Sequence, residues 1–157
     1  MTTFSATTSA EAIVLAPQEE IWAALTDPAL MARLTKYVKR IEADGDHWHW
    51  QLSGLDLLGK KLAPSFTERM IFTKPDRIEF HHDPPRKEMA GVDGWYDLSP
   101  ADDGNGTRLC TELSICLDAP LPKMAAPAVQ RVMRSVLDSM GDGFSANLLT
   151  HLGTTER

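Results

Sequence analysis

Apolar residues change their spacing twice along the chain, and those changes divide it into elements. From Thr8 to Ala16 the residues Ile13, Val14 and Leu15 predict a strand that Pro17 stops. Pro17 suits a first helical turn, Glu19 and Glu20 favour the positive helix end, and Ile21, Trp22 and Leu25 form a short apolar stripe. Asp27 and Pro28 restart the pattern as N-cap and first residue of a second short helix, which runs to about Tyr37. After Val38 the period becomes two. Val38–Ala43 and His47–Leu52 flank the turn Asp44-Gly45-Asp46, with Trp48, Trp50 and Leu52 on one face and His47, His49 and Gln51 on the other. Gly54 to Lys61 is expected as a loop.

Phe66, Glu68, Met70 and Phe72 then share a face. Beyond the turn at Lys74-Pro75-Asp76, Ile78, Phe80 and His82 continue the alternation until Asp83-Pro84-Pro85 breaks it. Two more strands, about Lys87–Ser99 and Thr107–Leu117, flank a polar turn, and the second carries Leu109, Leu113, Ile115 and Leu117 on one side. From Met124 to about Leu152 the period returns to 3.6, with Val129, Met133, Val136, Leu137, Met140, Phe144 and Leu148 in one sector. Gly141 and Gly143 mark a place for a kink or a close backbone approach in that long helix. Residues 1–7 and 153–157 are expected to fray.

Strands joined by short turns are antiparallel, and a sheet with one apolar face needs a cover. Only the last helix is long enough. The predicted architecture is α+β: a curved antiparallel sheet of about seven strands, two short helices after the first strand, and a long C-terminal helix packed across the sheet, in one domain spanning residues 1–157.

Composition changes this picture little, with 43% hydrophobic and 24% charged residues, ordinary for a self-sufficient globular core. Charge narrows the partners. A net charge of -6 and a pI near 5.3 oppose nucleic-acid binding, which depends on clustered Lys and Arg. No apolar run is long enough for integral membrane association. Cys110 and Cys116, six residues apart on one strand face, would lie about 20 Å apart and cannot bridge each other. Two unpaired thiols and an uncharged start point to a reducing cytoplasm. Nothing in the residues sets an oligomeric state.

Several segments resemble the SRPBCC, or START-like, superfamily: Ala16-Pro17-Gln18-Glu19-Glu20-Ile21-Trp22, Leu25-Thr26-Asp27-Pro28, Gly94-Trp95-Tyr96-Asp97-Leu98-Ser99-Pro100 and Gly106-Thr107-Arg108-Leu109. The resemblance covers about Thr8 to Leu152 and implies the helix-grip fold of birch-pollen-allergen-like proteins, polyketide cyclases, lipid-transport domains and a heat-shock-protein co-chaperone. It also implies an apolar cavity between sheet and C-terminal helix. It does not by itself select a chemistry.

The inward pattern makes Trp48, Trp50, Phe66, Glu68, Met70, Phe72, Phe80, His82, Tyr96, Met133, Leu137, Met140 and Phe144 the candidate ligand-binding set. Such a stripe also suits an ordinary core, and methionine suits either use. Glu68 is the unusual member, because an inward carboxylate without a partner acquires a raised pKa, unless a bulge turns it out or Arg69 pairs it. His82 is either a core histidine with one hydrogen bond or an acid/base group beside Glu68. His47 and His49 read as solvent-facing residues, since no further metal ligands accompany them. No phosphate loop, zinc spacing or nucleophile elbow occurs, so the sequence calls for no cofactor and no metal and names no catalytic residue. The function expected is binding or transport of a small hydrophobic ligand such as a lipid, isoprenoid or polyketide. The alternatives are a polyketide cyclase or hydratase using the same cavity, and a co-chaperone-like interaction module.

Overall fold

Strands β1 (Thr2–Val14) and β9 (Thr107–Ala119) pair antiparallel from Thr2 opposite Ala119 to Val14 opposite Thr107 in the computed structural model, which describes all 157 residues. Residues 2–7, where fraying was expected, are thus strand residues of this ladder. Phe4 and Ala6 are buried in the ladder, and the C-terminal tail doubles back through Leu15 N–H to Thr155 O (3.0 Å) and Arg157 N–H to Ile13 O (2.8 Å). Backbone pairing with a long neighbouring strand holds segments whose side chains alone give little reason to order.

Helices α1 (Gln18–Leu25) and α2 (Pro28–Leu34) follow as expected. Asp27 caps α2 by accepting the Leu30 N–H at 3.2 Å. The second helix stops at Leu34, before the expected Tyr37, because Thr35 turns to extended backbone and Tyr37 has φ +69°. Strands β2 (Val38–Asp44) and β3 (His47–Leu52) form the hairpin.

The stretch expected as a loop contains a second hairpin, β4 (Leu55–Leu57) and β5 (Lys60–Leu62). Leu58 and Gly59 both take positive φ, 51° and 85°, as a two-residue hairpin turn requires, and Asp56 accepts the Gly59 N–H at 2.8 Å. A leucine in the position usually held by Asn or Asp hid the turn.

Strands β6 (Ser65–Thr73), β7 (Arg77–His82) and β8 (Ala90–Pro100) complete an antiparallel sheet of seven strands in the order β1-β9-β8-β7-β6-β3-β2. After a short 3-10 turn at Lys123–Ala125, α3 (Ala126–Leu152) runs as one helix to a left-handed cap at Gly153. It continues through Gly141 and Gly143, and only Gly143 comes near another element, with its Cβ position 3.8 Å from Lys36 Cβ. This is the helix-grip arrangement.

The buried apolar residues do not form one continuous core. One cluster joins α1 and α2 to the sheet through Ile21, Leu25, Met31, Ile78 and Phe80. Another joins the first half of α3 to β1, β9 and the β4–β5 hairpin through Val129, Met133, Leu117 and Leu57. The middle of α3 crosses the gap between them.

Candidate functional site

That gap is a cavity of about 540 Å³, partly open to solvent, walled by the inner sheet face, α3 and the β4–β5 hairpin. Each wall follows from local pattern. Alternation turns Trp48, Trp50, Phe66, Glu68, Met70, Phe80 and Tyr96 inward, and the 3.6-residue period brings Met133, Leu137, Met140 and Phe144 to the opposite side. These eleven sequence candidates all line the cavity. Trp50 stacks on Phe66 with ring centroids 5.7 Å apart and planes 16° apart, and Phe80 meets Tyr96 at 5.7 Å.

Two candidates do not line it. Phe72 has the right parity but lies past the lining residues of β6, where it is 42% exposed and packs against Trp22 at 6.1 Å and Trp48 at 6.2 Å. His82 departs because the β7–β8 ladder stops at Phe80 opposite Gly94. Its N–H goes to the Asp93 carboxylate at 3.0 Å, its ring lies over Gly91, and its Nε2 pairs with Glu88 at 3.0 Å. A Cβ on Gly91 would stand 2.4 Å from the ring, so only glycine leaves room for this arrangement.

Glu88 is a functional-looking residue that the sequence reading missed. Its carboxylate folds back from the β7–β8 connection and accepts from the Thr67 N–H (2.7 Å), the Thr67 hydroxyl (2.8 Å) and His82, with His49 Nδ1 3.6 Å away. His47 meets Asp83 at 2.8 Å on the same outer side, and this contact raises the His47 pKa and lowers that of Asp83. His47 and His82 thus serve as hydrogen-bond partners of carboxylates and His49 of the Thr67 hydroxyl at 2.9 Å, and no group of three or more His, Cys, Asp or Glu converges as a metal site. The leucines of the β4–β5 hairpin were also missed; Leu55, Leu57 and Leu62 line the cavity. Gly59 was the one turn signal there, weakened by the leucine before it.

Glu68 points inward, as the alternation predicts. Strand β6 pairs without a bulge, Glu68 opposite Trp48 on one side and His82 on the other, and Arg69 turns to the outer face, 3.9 Å from Asp83. Glu68 is 3% exposed and pairs with no cation. Burial pushes its pKa well above the usual carboxylate value, the charge of Asp93 pushes the same way, and the Trp50 indole N–H alone favours the charged form. That N–H is itself buried and reaches hydrogen-bond geometry with no protein atom. Burial and the nearby Glu68 charge also raise the Tyr96 phenol. No Lys, Arg or His lines the cavity.

A seven-stranded sheet gripping one long helix around an apolar cavity defines a START-like protein. The chain belongs to the polyketide cyclase / dehydrase and lipid transport family, whose pattern it matches over residues 5–143. No curated protein sequence matches it significantly. Among solved structures it is similar to a START superfamily protein from Mycobacterium smegmatis, at 13% identity and TM-score 0.64 over 93% of this chain and 97% of that one. It is similar also to the Zhui aromatase/cyclase from Streptomyces sp. R1128, at 12% identity and TM-score 0.62 over 97% and 94%. A conserved protein from Geobacillus kaustophilus matches at 18% identity and TM-score 0.61 over 98% and 99%. At these identities the likeness is one of fold. No helix of the chain is long and apolar enough to cross a membrane.

Proposed function

We propose that the protein binds a small hydrophobic ligand, of lipid, isoprenoid or polyketide type, between the inner sheet face and α3, and carries it. The observation that supports this is the unfilled space of about 540 Å³ between two packed clusters. Protein interiors normally close such gaps, and ligand sites typically occupy roughly 300–1,000 Å³. Apolar surface transferred into the cavity gains on the order of 25 cal/mol per Å², enough to hold a guest without many polar contacts.

Incubating the protein with a lipid extract and analysing it by native mass spectrometry tests the proposal. A one-to-one adduct is the expected result, and a protein that retains nothing from extract or expression host would contradict it. The cyclase reading drew on Glu68 and His82 acting together. With the His82 ring bound to Glu88 outside the lining, Glu68 stands without that partner, which favours binding over acid–base chemistry.

A further inference from the structure

We propose that the Trp50 indole N–H and the Glu68 carboxyl form a polar seat inside the cavity, which receives the carbonyl oxygen of an otherwise apolar, uncharged ligand. The proposal rests on the ligand-binding reading above and specifies which ligands fit. Stacking on Phe66 holds the Trp50 ring with its N–H beside the Glu68 carboxyl, near enough to favour the charged form but outside hydrogen-bond geometry. Native proteins leave few buried donors in that state, since each costs about 1–3 kcal/mol. An indole N–H can only donate, so what completes it must be an acceptor.

Glu68 stands beside it, 97% buried by its 3% exposure, in the unbroken β6 ladder. Burial keeps this carboxyl in its neutral form to higher pH, and a neutral carboxyl offers an O–H donor. A carbonyl oxygen has two lone pairs and can accept from both groups at once. An anionic head group is disfavoured. Glu11, Asp56, Asp138, Asp142 and Glu156 stand exposed around the lining; Arg108 pairs with Glu11 and Lys61 with Asp56, while Asp138, Asp142 and Glu156 have no cation beside them.

Two probes of the same shape test the seat: 2-acetylnaphthalene, and 2-isopropenylnaphthalene, in which a CH2 replaces the oxygen. Calorimetry on the wild-type protein is expected to find the ketone bound at least about tenfold more tightly, as one satisfied buried donor implies. Of the four tryptophan indole N–H resonances, the one missing in Trp50→Phe should move downfield with the ketone and not with the alkene. Glu68→Leu and Trp50→Phe should each bring the affinity ratio towards unity. Equal binding of both probes by the wild type would overturn the polar seat and leave the cavity reading standing. Binding of neither would remove both. Tighter binding of 1-(2-naphthyl)ethylamine than of the ketone would also overturn the seat, because Glu68 would then serve as counter-ion to a cation.

Discussion

Glu68 and Glu88 are two shielded carboxylates on opposite sides of the same strand, and they have opposite surroundings. Glu88, with its side chain 10% exposed, accepts from the Thr67 N–H, the Thr67 hydroxyl and the His82 ring, and its charge is fully used to tie the β7–β8 connection to the sheet. Glu68 is 3% exposed, faces the cavity and has no cation beside it. The outer side of the sheet matches its charges in the same way as Glu88, as in Arg77 with Asp97 at 2.7 Å and His47 with Asp83 at 2.8 Å. The protein therefore has the means to pair carboxylates, and the inner one is left unpaired where a guest would sit. Burial without partners marks the site, and burial with partners marks the scaffold.

The contrast predicts different consequences on the two sides. Glu88→Ala should have the largest effect, a loss of about 3 kcal/mol in urea unfolding, because it strands the Thr67 N–H and the His82 ring and leaves the Thr67 hydroxyl only His49. Stability within error of wild type would show that the outer carboxylate is not structural. Gly91→Ala should cost about 2 kcal/mol, since its new methyl group would displace the His82 ring from Glu88. A thermal melt superimposable on that of the wild type would argue against the ring's packed position.

On the inner side, Glu68→Gln should stabilise the fold by about 1 kcal/mol at neutral pH, as removal of an unpaired buried carboxyl does. The gain should depend on pH. Because the folded pKa is raised, the native state binds the proton more tightly than the unfolded chain does. The stabilisation from that proton is complete below the ordinary value of 4.5 and is lost as pH rises through the elevated folded value. The Gln variant lacks this loss, so the difference from wild type should grow above pH 4.5. A constant difference across unfolding curves from pH 4 to 9 would remove Glu68 from its buried setting.

Much of the inner wall was legible because it follows simple periods. Alternation placed Trp48, Trp50, Phe66, Glu68, Met70 and Phe80 on one face, and the 3.6-residue period set Met133, Leu137, Met140 and Phe144 against them. The failures lie where the period stops having meaning. His82 is the last residue of β7, still opposite Glu68 in the β6–β7 ladder but past the end of the β7–β8 ladder, and its ring is drawn to Glu88 over Gly91, which parity does not report. Phe72 keeps its parity but runs past the end of the cavity. Glu88 belongs to a connection, and its partners come from β6 and β7, which no local pattern reports. The orphaned Trp50 N–H is likewise a property of the packed interior, invisible in a residue's type or spacing.

Binding of a guest in the space between sheet and helix separates a carrier from a protein with a merely loose interior. Titrating the uncharged dye N-phenyl-1-naphthylamine into wild type and Met140→Trp, which would fill the middle of that space from α3, tests it most directly. Saturable one-to-one fluorescence enhancement in the wild type, with affinity at least about tenfold weaker in the equally folded variant, is the predicted result. Equal dye binding by both proteins, or none by the wild type, would contradict it.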